Sequence, residues 1–173
     1  AEYNLDKPLV VQYVLYLGKL VQGDLGTNFY GNSVASELAS RYPVTIKLAL
    51  MAIVIEILIG ITAGILAGIR KGKFVDNLVM VSTLVVISIP TFVIGSLAQL
   101  VFGIKLGWFP VTATQGTFYQ LLMPAFVLGA TSVAYVARLT RTSLVENLRA
   151  DYVRTAKAKG LTRNRVIGVH TFR

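Results

Sequence analysis

From Val44 to Ile69 the chain reads VTIKLALMAIVIEILIGITAGILAGI, an apolar run relieved only by Lys47 near its start and Glu56 in its interior. Wound as an α-helix the run is roughly 39 Å long, against a bilayer hydrocarbon core of roughly 30 Å. A helix apolar on every face for that length belongs inside a membrane. Two further runs follow. LVMVSTLVVISIPTFVIGSLAQLVFGI covers Leu78 to Ile104, and FYQLLMPAFVLGATSVAYVA covers Phe118 to Ala137, less apolar and interrupted by Pro124. Only 14% of residues are charged, 54% are hydrophobic and the mean hydropathy is +0.65, whereas soluble domains carry about 25% charged residues. The expected fold class is an all-α integral membrane protein, with spans at 44–69, 78–104 and 118–137.

The bases set the orientation. Residues 70–77, RKGKFVDN, hold three bases and one acid, and residues 138–173 hold nine bases and two acids. Residues 1–43 hold three bases and four acids, and 105–117 hold one base. Lys and Arg collect on the cytoplasmic side of short loops, so 70–77 and 138–173 are expected inside and 1–43 and 105–117 outside. The net charge of +9 is then mostly topology. A nucleic-acid surface would need aromatic platforms among the bases, and the tail offers only Tyr152 and Phe172. This topology places the first residue outside without a signal peptide or initiating Met, which predicts at least one span before Ala1 and more chain after Arg173.

Within the external segment, Leu9, Tyr13, Tyr16, Leu17 and Leu20 fall at helical spacing, and the glycines of QGDLGTN end the pattern. A second short helix is expected from Ser33 to Arg41, with Pro43 opening the first span. The segment reads as a cap on the membrane surface or as a docking face for an external partner. Enzymatic signatures are absent from the sequence: one histidine, His170, no cysteine, no HExxH, no GxSxG and no GxxxxGK[ST]. Uphill transport by such a chain needs ATP hydrolysed elsewhere or an ion gradient.

Four stretches, GDLGT (Gly23–Thr27), SIPTFVIG (Ser88–Gly95), VARLTRTSLVENL (Val136–Leu148) and DYVRTAKAKGL (Asp151–Leu161), resemble in order the permease subunit of peptide and nickel ABC importers, peptide-type branch. The resemblance implies a type I ABC importer permease fold, present in part, with three of the usual six spans. It also implies a prokaryotic inner-membrane, multi-pass location and four kinds of partner: a second permease subunit, two ATP-binding-cassette ATPases, an extracytoplasmic substrate-binding protein and membrane lipid. No cofactor is expected on this chain, ATP and Mg lying on the partner ATPases. The cytoplasmic signature of such permeases is often E-A-A, three residues, then G. Here Ala156 and Gly160 match, while Arg154 and Thr155 replace the first two, a variant common in the peptide branch.

That resemblance assigns ATPase coupling to Asp151, Tyr152, Arg154, Thr155, Ala156, Lys157, Ala158, Lys159 and Gly160. The residues themselves agree with a docking helix. Val145, Leu148, Tyr152 and Ala156 recur at spacings of three and four, Arg154 and Lys157 lie largely opposite, and Gly160 suits a helix end. A basic amphipathic helix on anionic lipid is the competing reading. Inside the spans, Glu56 costs roughly 2.5–3.5 kcal/mol at mid-bilayer on insertion scales, so it must face protein or a watery cavity. It is either glue between helices or part of the substrate path. Ser88 and Pro90 mark an expected kink that packs the span or shapes a gate. The alternatives to an ATP-driven peptide importer are a secondary transporter or channel, and a membrane anchor without transport. Nickel and other small solutes share these motifs, selectivity in the family resting with the external binding protein.

Overall fold

The computed structural model describes residues 5–148, and within them every regular element is a helix. The coupling residues Asp151 to Gly160 lie outside the described residues. The chain divides into two compact units at Lys47 and Leu48, a boundary inside helix α2 (Val34–Ile55).

In the first unit, α1 (Leu9–Val21) follows the periodic residues and buries none of them. It ends as its glycine dictates. Gly23 takes φ +81°, its N–H bonds to the Leu20 carbonyl at 3.0 Å, and the Asp24 N–H reaches back to the Lys19 carbonyl at 2.9 Å. This pair of bonds caps the helix C-terminus through a left-handed residue. The Asp24 carboxylate then accepts the Gly26 N–H at 2.9 Å, and the Asn28 side-chain oxygen accepts the N–H of Tyr30 at 2.9 Å and of Asn32 at 3.0 Å. The GDLGT stretch is therefore turn chemistry in which side chains satisfy the backbone. The Asn28 amide donates to Glu37 of α2 at 3.1 Å, tying the turn to that helix. Instead of opening a helix, Pro43 lies within α2, which runs continuously from Val34, so the expected separate helix at 33–41 and the first apolar run share one element.

In the second unit, α2 continues into a wide π turn (Glu56–Ile61) and then α3 (Thr62–Ile69). A tight connection leads to α4 (Phe74–Ser88), α5 (Thr91–Ala98) and a second π segment (Gln99–Lys105). The last element, α6 (Phe118–Asn147), keeps Pro124 inside an unbroken helix and extends well past Ala137. Val34–Ile69 and Phe118–Asn147 are each long and apolar enough to cross a membrane, and Phe74–Ser88 with Thr91–Lys105 makes a third crossing if the bent pair is one span.

Small residues bring the helices together. A Cβ on Gly60 would sit 2.9 Å from Val136 Cγ1, one on Gly64 2.7 Å from the Ala137 carbonyl, and one on Gly68 2.8 Å from Leu144 Cδ2. At the other end, a Cβ on Gly129 would lie 3.3 Å from the Ala52 carbonyl. Both sequences ascend together, so the 52–68 stretch and α6 run parallel, with backbones in close approach as small-xxx-small spacing permits. Four-residue spacing overshoots an α-helical turn by about 40° per step; the π turn takes part of that drift back, keeping Gly60 on the α6 side. The opposite face, with Ile53, Val54, Ile57 and Leu58, is exposed, as lipid or a neighbouring subunit requires.

Candidate functional site

Ile89 and Pro90 do more than kink a helix. Ile89, forced out of helical geometry by the proline after it, is extended at φ −99° and ψ 125°, and Pro90 follows at ψ 137°. Helix α5 leaves α4 at 99°, so the expected kink is a full break. Both edges are satisfied locally. The Ser88 hydroxyl donates to the Leu84 carbonyl at 2.8 Å, and the Pro90 carbonyl accepts the N–H of Val93 at 2.9 Å and of Ile94 at 3.2 Å. Thr91, the first residue of α5, meets Thr131 of α6, hydroxyl to hydroxyl, at 3.3 Å.

The break opens a cleft of ≈ 520 Å³ between α5 and α6. Its polar wall is Thr91, Ser96 and Gln99; its apolar wall includes Phe92, Met123, Val127 and Leu128. Pro124 also lines it, and its missing N–H leaves the Gln120 carbonyl without the donor that α-helical bonding would provide. Gln99 donates from Nε2 to the Val111 carbonyl at 3.2 Å, holding the 106–117 connection against the second π segment. The Tyr119 hydroxyl bonds to the Trp108 carbonyl and its ring stacks on Phe109 at 5.6 Å between centroids. Mostly apolar walls with a few oriented polar groups are what a site for a small solute needs.

Glu56 opens the π turn, half-buried, on the same side as Ala52 and Gly60. Among the described residues no hydrogen bond or ion pair engages its carboxylate. Ser88 and Pro90 stand at the break itself, with Ser88 bonded back into α4 rather than lining the cleft.

A second polar centre lies where α4 begins. Asp76 is 2% exposed. Its Oδ1 accepts from Arg141 Nε at 2.9 Å, its Oδ2 from Arg141 Nη2 at 2.7 Å, and Oδ2 also accepts the Gly72 N–H at 2.9 Å. One helical turn earlier on α6, Arg138 Nη1 donates to the Met80 carbonyl and to Thr83 Oγ1, both at 3.3 Å. Residues 76–83 therefore descend along α6 as its numbers rise, so α4 runs antiparallel to it. A forked guanidinium–carboxylate pair is strong and directional. Removing one partner of such a buried pair costs about 3–5 kcal/mol, because the other charge is left uncompensated.

Neither Asp76, Arg138 and Arg141 nor the glycine stripe stands out in a reading of the residues alone. Asp76 reads as one loop acid and the arginines as tail bases, and the partners lie 65 residues apart. The usable signal was an acid at the mouth of an apolar run with two arginines three apart at the far end of another. The glycines at 60, 64 and 68 recur every four residues in GITAGILAG, a spacing that the hydrophobicity of the run does not register.

Residues 60–173 match the family described as binding-protein-dependent transport system inner membrane component. The dipeptide transport system permease protein DppB of Lactococcus lactis subsp. cremoris is 37% identical over 99% of this chain and 57% of its own length. The oligopeptide transport system permease protein OppB of Haemophilus influenzae is 38% identical over all of this chain (100%) and 58% of its own. The dipeptide permease DppB of Bacillus subtilis is 38% identical over 100% and 56%. The chain thus spans little more than half the length of these curated relatives. The helical architecture is that of the type I ABC importer permeases, and the chain belongs to the family of binding-protein-dependent transport system inner membrane components.

Proposed function

We propose that this chain forms part of a permease subunit that carries peptides across the prokaryotic inner membrane, driven by ATP hydrolysis on partner chains. The observation that carries the reading is the break at Ile89–Pro90, beside which a surface cleft sets a polar wall, Thr91, Ser96 and Gln99, against an apolar one. Peptides offer both backbone amides and apolar side chains, the two chemistries of the cleft walls. The names of the dipeptide and oligopeptide permeases to which the chain is similar point to the same solute class. Glu56 and Pro90 belong to the path on this reading, Pro90 as the bend and Glu56 as a carboxylate with no partner among the described residues.

Helix direction supports a topology with 1–43 and 105–117 outside and 70–77 and 138–173 inside. The 52–68 stretch and α6 run one way and α4 the other. The basic connection Arg70–Lys73 and the basic end of α6 then share the cytoplasmic face. The stretch from Asp151 to Gly160 is the ATPase contact in this scheme, with Mg and ATP held by two partner ATPases, a second permease completing the path and an external binding protein delivering the solute.

The test is transport by the complete permease. Reconstituted in liposomes with a second permease, the ATPases and the binding protein, it should accumulate a labelled dipeptide or oligopeptide only when ATP is supplied on the ATPase side. Accumulation driven by an ion gradient with no ATPase chain present would replace this reading with a secondary transporter.

A further inference from the structure

We propose that Asp76, Arg141 and the Gly72 N–H form the joint through which movement of the inner end of α6 reaches the break at Ile89–Pro90. The proposal rests on the importer reading above. Three features carry it. The fork from Arg141 fixes both oxygens of Asp76, and the Gly72 N–H adds a third bond, so the carboxylate ties α6, the start of α4 and the 70–73 connection in one place. Gly72 holds φ +77°, which lets the chain turn back and aim that N–H at the carboxylate.

The second feature is the Arg138 bond to Met80 and Thr83. It doubles the grip one turn further along α4, so the two helices are held against rotation as well as separation. The third is where each helix leads. From Asp76, α4 runs about 20 Å to Ile89, where the cleft opens. From Arg141, α6 runs on to Asn147, and the segment proposed for ATPase contact follows it in the sequence.

An apolar pair would hold two helices together at least as cheaply, since burying an ion pair forfeits its hydration. What the fork adds is a fixed angle between them. Asp76 and Arg141 are positioning residues: they touch no solute and set how α4 follows α6.

The experiment uses the complete importer in liposomes, with Asp76→Asn, Arg141→Lys and the double replacement Asp76→Leu with Arg141→Leu. Assembly is read as ATPase retained per permease, and coupling as peptide accumulated per ATP hydrolysed and as the ratio of peptide-stimulated to basal hydrolysis. The double Leu variant keeps an apolar contact without a stranded charge, so it should assemble. In it the coupling ratio should fall roughly fivefold or more with basal hydrolysis retained. Arg141→Lys, which keeps the charge and loses the fork, should fall between wild type and the double variant. A double Leu complex that moves as much peptide per ATP as wild type overturns the proposal, even if Asp76→Asn fails to assemble, because the pair is then only a folding staple. Wild-type uptake without ATP dependence is read before any variant, and it removes the importer reading and this proposal together.

Discussion

Gly64 is the residue with the least room to change. A methyl group there would meet Thr140 Cβ at 2.6 Å and the Ala137 carbonyl at 2.7 Å, and a carbonyl in a helix cannot swing aside as a side chain can. Gly64→Val should force the two helices apart at a cost of about 1–3 kcal/mol. The check is the fraction of full-length permease that stays folded in a detergent titration, with Gly18→Val as the control because, beyond its neighbours and its own helix backbone, nothing lies within 4 Å of the Cβ it would add. Equal losses for the two variants would mean that helix propensity, not contact, decides. Residue-scale contacts of this kind were half legible in the sequence. The four-residue spacing of Gly60, Gly64 and Gly68 is written there, but the partner surface on α6 is not. The Asp76–Arg141 pairing could not be read from periodicity, which relates residues a few positions apart and is silent about those in different elements.

At the scale of elements, three prolines meet two fates. Pro43 and Pro124 sit within continuous helices, whereas Pro90 separates two. Each removes one backbone donor, so the difference comes from what surrounds it. Pro124 lies in a helix packed along most of its length against the glycine stripe and α4. At Pro90 the bend lets Thr91 meet Thr131 of α6, a bond that a straight helix would leave unmade. This is why the sequence announced a disturbance at Ser88–Pro90 yet understated it. Pro90→Ala restores the donor and permits a straight helix. Spin labels at Leu84 and Leu97, both exposed, should then report a longer separation, approaching roughly 20 Å for a continuous α-helix, and uptake should fall as the cleft closes. An unchanged distance would show that the contacts of α5 with α6 hold the bend without help from the proline.

For the whole molecule, the orientation proposed above from Lys and Arg placement can be probed directly because the chain has no cysteine of its own. A cysteine at Tyr30, 90% exposed beside the Asn28 turn, should react with an impermeant thiol reagent in cells whose outer barrier is open. One at Lys71, in the connection before α4, should react only after the inner membrane is permeabilised. The reverse pattern would invert the topology and place the Asp76 joint on the wrong side for any ATPase. The all-helical membrane class was within reach of composition. The cleft was not, because it depends on how α5 returns to α6 after the break.

The matched register of the glycine stripe has a consequence for how a chain like this can drift over generations. Gly60, Gly64 and Gly68 face Val136, Thr140 and Leu144 at the same offset along both stretches. A single codon inserted between Gly60 and Gly68 would turn everything after it by about 100°, carrying the glycines off the contact and bringing bulky neighbours onto it. The same insertion in the 106–117 connection would leave both halves of the match intact. Length variation is therefore affordable in the connections and lethal in the paired helices, so the lineage can lengthen its turns while these two stretches keep a fixed count.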